Sequence, residues 1–357
     1  MDQTAAGNHV VAVGYSQSAI IDSLEMRNLL ALPPDQQPTA EQLAFVLLGN
    51  VSNPDGGLLS RFDLPGMQPL TLPSVGITFS GPTPADTPWD TAIYTREYDG
   101  FADFPKYPMN FLSDLNAFLG ILFVHGHYPE LTPEQMATAI ELPVSADYTG
   151  HTQYFMIPTE TLPLVQLIQS IPLIGKPLGD LLGPDLQILV NLGYGSIDQG
   201  WDPGPANVAT PFGLFPNVNL GEVFTALGNG AESGFNAFVN DLSHLSLPSL
   251  ADVIGSGAAS GLPTLTGIVD AFTSATASAY AALLPTADII NFLVTTLPAY
   301  DVSLFVHEVT SGNLLDAIGL PLAADVGLTT MAGGFETEVL MNTVSAISGA
   351  FKDLIPS

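Results

Sequence analysis

The stretch that decides the fold is His9-Val10-Val11-Ala12-Val13-Gly14-Tyr15-Ser16-Gln17-Ser18-Ala19-Ile20-Ile21-Asp22-Ser23-Leu24-Glu25-Met26. Residues 9–13 are a β-branched, apolar run that suits a strand. From Ala19 the apolar residues recur at helical spacing until Pro33-Pro34 stops the helix. Between the two, Gly14-Tyr15-Ser16-Gln17-Ser18 has the form G-x-S-x-small, the layout of a nucleophile elbow. So tight a turn holds its serine in a strained backbone conformation, and large side chains at 14 and 18 would collide with the neighbouring strand and helix. The expectation is that Ser16 stands above the sheet edge with its Oγ free to attack. The N–H of Gln17, at the helix N-terminus, would then face a developing oxyanion.

Outward from the elbow, Leu43-Ala44-Phe45-Val46-Leu47-Leu48 is a continuous apolar run closed by Gly49-Asn50, as a central parallel strand requires. Residues 52–88 are dense in Pro and Gly and read as loop with short extended pieces. Ala92–Tyr98 reads as a strand ending at Asp99-Gly100, and a loop from Tyr107 leads into a helix through Leu122. Gln153–Pro158 reads as a further strand, and 162–192 as short helical pieces around four prolines. This order is α/β with a parallel sheet, in which functional groups gather beyond the strand C-termini. From about Leu220 the composition shifts to Ala, Gly, Ser, Thr and Leu, with helix candidates at 223–242, 265–284 and 287–296. The expected division is therefore 1–219 for the α/β unit and 220–357 for a mostly helical region, packed on that core or facing lipid.

Charge narrows the partners. The 357 residues carry 35 acidic against 6 basic side chains, a net charge of −29, which repels nucleic acid and anionic headgroups alike. Mean hydropathy is nonetheless +0.34, so any membrane or envelope contact would be apolar. There is no cysteine, hence no disulfide or thiolate chemistry. The N-terminus lacks the basic and apolar segments of a signal peptide. In the C-terminal third, the long uncharged stretch from Ala271 to Ala287 is rich in Ala, Ser and Thr, is interrupted by Pro285 and is followed by Asp288, so no transmembrane helix is expected. The sequence specifies no oligomeric state.

A serine nucleophile needs a base, and the base an orienting acid. His125 follows the apolar run 120–124 and can lean over the sheet edge, with His127 as second choice and His151, in a polar turn, a third. For the acid, Asp99 at a strand end comes first, because Gly100 would let the chain swing away and turn the carboxylate toward a histidine. Asp103 is its rival, and Asp86 and Asp90 precede the strand. The order Ser16, Asp99, His125 is that of α/β-hydrolases. Asn53-Pro54-Asp55-Gly56-Gly57 lacks the P-loop pattern and reads as a turn, and His125-x-His127 has no partner set for zinc. No metal or cofactor is expected.

Taken together, the elbow, Phe45–Asn50, Pro54–Phe62, Tyr98–Pro105, Leu115-Asn116-Ala117, His125–Tyr128, Thr159–Leu164, Asp185–Gly195 and Thr210–Pro216 resemble the PE-PPE domain of mycobacteria and their relatives. The resemblance implies a cutinase-like serine α/β-hydrolase, an esterase or lipase acting on acyl esters, with acyl transfer onto trehalose-type envelope glycolipids among the activities of some members. It implies Ser16 as nucleophile, the acid within Tyr98–Asp103, the base within His125–Tyr128, and a cell-envelope or secreted location. That family has further strands ahead of the elbow and a helical PE or PPE module upstream. The fold expected is thus an α/β-hydrolase-type parallel sheet, N-terminally truncated, with one edge unpaired and the second oxyanion donor missing. The competing expectation is a non-catalytic envelope protein that binds lipid or a partner on an incomplete hydrolase core.

Overall fold

The elbow strand and its helix both form. In the computed structural model, which describes residues 2–64, 69–73, 76–171, 174–244 and 265–352, a short α1 (Asp2–Ala5) leads into β1 (Val10–Tyr15), and α2 (Gln17–Leu30) follows after Ser16 alone. The chain continues through β2 (Leu43–Leu48), α3 (Leu58–Arg61), the small hairpin β3 (Thr71–Leu72) and β4 (Ile77–Thr78), and then β5 (Asp90–Arg96). Next come α4 (Phe111–Phe123), a 3₁₀ turn at His125–Glu130, α5 (Pro133–Met136), β6 (Ile140–Glu141) and β7 (Thr152–Ile157).

The sheet order is β1-β2-β5-β7-β6, parallel except for β6. The register runs Tyr15, Leu48, Tyr94, Phe155 across it, so the strand ends before Ser16, Gly49 and Asp99 line up on one edge. That alignment positions the site. One sheet face, through Phe45 and Leu47, packs on Ala19, Met26 and Leu29 of α2 and on Trp89. On the other face Val11 and Val13 are exposed, and among the described strands β1 pairs with β2 alone.

Helices α6 (Pro163–Gln169), α7 (Gly175–Asn191), α8 (Leu220–Ser243), α9 (Leu265–Asn291), α10 (Leu297–Ser311) and α11 (Leu314–Lys352) complete the chain. Of the four prolines expected to punctuate 162–192, Pro163 opens α6 and Pro172 lies outside the described residues. Pro177 falls in the first turn of α7, where its missing N–H costs nothing, and Pro184 is carried inside the helix because α7 is packed between α6 and α8. Pro285 likewise lies inside α9, which runs on through a π turn (Phe292–Thr296) into α10. Two helical stretches, Thr273–Ser311 and Leu314–Ala350, are by length and composition able to cross a membrane, which the reading of Pro285 as an interruption did not anticipate.

The main buried cluster crosses residue 219 without a break. Tyr300, Leu304, Ala324, Leu328 and Met331 from the C-terminal helices share it with Phe62, Phe104 and Phe118. Gly334 makes this closeness necessary: a Cβ there would stand 2.3 Å from the Phe118 ring of α4.

Candidate active site

Ser16 has φ 55° and ψ −117°, a region that non-glycine residues enter only where the surroundings enforce it. The enforcement comes from both neighbours named in the motif. A Cβ on Gly14 would meet Ala19 Cα at 2.7 Å and Asp22 Oδ2 at 2.5 Å, because α2 doubles back across the strand. Ser18 does more than stay small: its Oγ accepts from the Tyr15 N–H at 2.7 Å and donates to the Tyr15 carbonyl at 2.8 Å, tying the turn across Ser16. The N–H of Gln17 opens α2 and has no carbonyl within the helix to bond.

The serine hydroxyl donates to His125 Nε2 at 2.7 Å. On the other side of the ring, Nδ1 lies 2.8 Å from both Asp99 oxygens, which fixes the proton on Nδ1 and leaves Nε2 as the acceptor. Asp99 is fully buried and His125 nearly so. The Asp99 carboxylate also accepts from the Phe101 N–H at 3.0 Å and from the Tyr128 hydroxyl at 2.8 Å. Tyr128 in turn accepts from the Arg96 N–H at 2.8 Å, and burial together with the Asp99 charge pushes its phenol up, so it stays a donor.

The structure therefore brings Ser16, His125 and Asp99 together and leaves the other candidates apart. Asp103 is buried four residues further on, accepting from the Tyr98 N–H at 3.0 Å, and desolvation raises its carboxyl well above the usual range. His127 points outward to Glu130 at 2.8 Å, and His151 to Asp90 at 3.4 Å, both at the surface. Gly100 acts differently from expectation. Its φ is not in the left-handed region; a Cβ there would stand 2.0 Å from the Ala117 carbonyl, so the glycine lets the Asp99 loop lie against α4.

Residue-level reading missed three supports. The Tyr15 hydroxyl donates to the His125 carbonyl, Arg96 Nη1 donates to the Val124 carbonyl at 3.0 Å, and Tyr128 holds Asp99. Tyr128 lay within a quoted motif, but no spacing rule links it to Asp99, and Tyr15 and Arg96 carried no signal beyond strand composition.

A cavity of about 680 Å³ opens beside Ser16, lined by Gln17, Ile20, Ile21, Leu24, Leu58, Ile77 and Phe101 among others. Mostly apolar walls, with Ser16, Gln17, Thr78 and Ser80 as the polar side chains among them, suit a ligand with a long hydrocarbon part. Among the described residues, no group of three or more His, Asp or Glu side chains is arranged to hold a metal ion.

The profile of the PE-PPE domain matches residues 1–195. The PPE family protein PPE28 of Mycobacterium tuberculosis is 41% identical over 99% of this chain and 56% of its own length. Esterase PE16 of the same organism is 52% identical over 60% of this chain and 38% of its own. Its diacyltrehalose acyltransferase Chp2 is 25% identical over 59% of this chain and 58% of its own. The chain spans about half the length of these curated relatives. No solved structure matches.

Proposed function

The chain belongs to the PE-PPE domain family, and from that premise we propose that it is a serine ester hydrolase or acyltransferase acting on lipid acyl esters. The observation that carries the reading is the unbroken hydrogen-bond chain from Ser16 through His125 to Asp99 at the mouth of an apolar cavity.

Ser16 Oγ attacks the ester carbonyl carbon while its proton passes to His125 Nε2. Asp99 holds the ring and stabilises the imidazolium. The carbonyl oxygen, now negative, faces the Gln17 N–H at the positive end of α2. Collapse of this intermediate breaks the bond to the alcohol oxygen, which leaves with the proton from His125, and an acyl-Ser16 ester remains. Water or an acceptor hydroxyl then gives its proton to the same Nε2 and attacks the acyl carbon, and as the bond from that carbon to Ser16 Oγ breaks, Nε2 returns the proton to Oγ. A sugar of trehalose type is the acceptor suggested by the relative named diacyltrehalose acyltransferase, and PE16 supports hydrolysis. The same lipid chemistry is consistent with a location in the cell envelope or outside the cell.

A second reading, a lipid-binding protein without catalysis, is favoured by the exposed apolar side chains of the C-terminal helices, among them Leu283, Leu315 and Ile318. A fluorophosphonate probe separates the two. Covalent labelling mapped to Ser16 by mass spectrometry, with p-nitrophenyl ester turnover lost in Ser16→Ala, supports the enzyme. Lipid binding without labelling supports the alternative.

A further inference from the structure

The cavity beside Ser16 is lined by residues between Ser16 and Phe101, and two of them also face the C-terminal helices. Leu58 and Ile77, which line it, also line a second and much smaller void of about 20 Å³ on their far side. The opposite wall of that void comes from the C-terminal helices, through Leu328, Met331 and Phe335 of α11 and Phe292 of the π turn. Such a space holds barely one water, and its lining is apolar, so it stays dry. Phe335 also touches Phe101, the aromatic neighbour of His125. Its ring stacks on Phe101 at 6.0 Å with 21° between planes, and Phe101 packs edge-on against the His125 imidazole at 4.8 Å. One aromatic ring thus separates α11 from the base.

We propose that the seam between the core and the C-terminal helices is the far end of the acyl-binding site, and that Phe335 and Met331 set the length of acyl chain accepted. The inference rests on Ser16 as the attacking residue. A chain esterified at Ser16 runs along Ile20 and Leu58, and its terminal methyl parts Leu58 from Ile77 and fills the void. Filling an empty apolar seam removes methylenes from water and restores packing contacts the void lacks. The C-terminal region thereby becomes part of the substrate site, with Phe335 positioning Phe101 at one end of the chain and closing it at the other.

The test measures kcat/KM for p-nitrophenyl esters from butyrate to stearate on the full chain, with Phe335→Ala, Met331→Ala and Phe335→Trp beside wild type. In wild type each added methylene raises kcat/KM about fourfold until a plateau. Both alanine variants move the plateau to longer esters and raise the stearate-to-butyrate ratio about tenfold, and Phe335→Trp moves it to shorter ones. An unchanged plateau in variants that still melt cooperatively, or an equal fall on every ester, overturns the proposal. The same esters are titrated against Ser16→Ala, alone and combined with Met331→Ala, by fluorescence quenching. If wild type turns over no ester, the nucleophile reading fails, yet this titration still decides the seam: a preferred length that moves with Met331 supports it, and one that does not move overturns it.

Discussion

Between β1 and Gly195 the chain encloses many polar and charged groups; between Leu265 and Lys352 the enclosed positions are nearly all apolar, alanines beside larger side chains such as Tyr300, Leu304 and Met331, while other large apolar side chains stay outside. Asp99, Asp103, Asn116 and Arg61 are each almost fully enclosed in the first region. In the second the enclosed positions include Ala317, Ala323, Ala324 and Ala332, while Leu314 and Leu315 are exposed. Buried hydrogen bonds are directional and costly to leave unmade, so they tolerate one arrangement. Helices that meet through small residues approach closely without any such demand. The first region is therefore built to hold atoms in place, and the second to supply close-fitting walls and apolar surface.

The sharpest way to break the contrast is at the hydrogen-bond chain itself. Ser16→Ala or His125→Ala should lower ester turnover by about 10⁶-fold, and Asp99→Asn by about 10⁴-fold through the wrong imidazole tautomer. Steady-state kinetics on p-nitrophenyl esters check both. Single substitutions at outward residues of the second region, such as Leu315→Ser, should leave kcat unchanged within a factor of two or so, since exposed sites away from the core contribute little.

Next in size is Arg61, buried against Asp55 at 3.1 Å and donating to the Thr210 carbonyl at 2.7 Å. Removing it leaves the buried Asp55 without its cation, while Asp202 keeps Lys106 at 2.6 Å, so Arg61→Met should cost about 3–5 kcal/mol in urea unfolding. Tyr128→Phe is smaller. It takes one donor from Asp99 and one acceptor from the Arg96 N–H, worth about 1–3 kcal/mol. Its signature is a drop in kcat with KM kept, because the loss falls on the orientation of His125 and not on the apolar cavity.

The smallest effect tests the second region by pH. Burial, and the Asp325 carboxylate beside it, push Asp301 up to about 7. A folded-state value above the ordinary one means the protonated form is favoured by folding. That stability is complete below the usual aspartate range near 4 and is lost as pH rises through about 7. Because Asp301 is only partly buried, solvent screens the effect and the loss is modest. Melting curves at about pH 5 and pH 8 should show wild type losing a few degrees, and Asp301→Asn losing less.

Much of this was legible in the order of residues. The elbow reads directly because strand, turn and helix are local and Gly14 and Ser18 are set by contacts within a few positions of Ser16. The parallel sheet follows from continuous apolar runs that need cover on both faces. The choice of His125 over His127 rested on an apolar run and was made in space by the 3₁₀ turn, which sends one ring inward and the other to Glu130. Gly100 shows the limit: the residue was singled out, but its reason, the Ala117 carbonyl of α4, lies in a contact that no local pattern encodes.

By itself, then, the sequence determined the strand–serine–helix unit, the α/β order, the acidic and apolar character, and the small set of residues from which the site is drawn. These depend on local propensity, periodicity and composition. Only the tertiary structure decided that Tyr15, Arg96 and Tyr128 brace the histidine and its acid, and that a helix more than three hundred residues from Ser16 lies one ring away from His125. Such contacts arise from sheet register and from close-packed helices brought together across the chain, and their physical cause, complementary shape and paired polar atoms, exists only once the core is assembled.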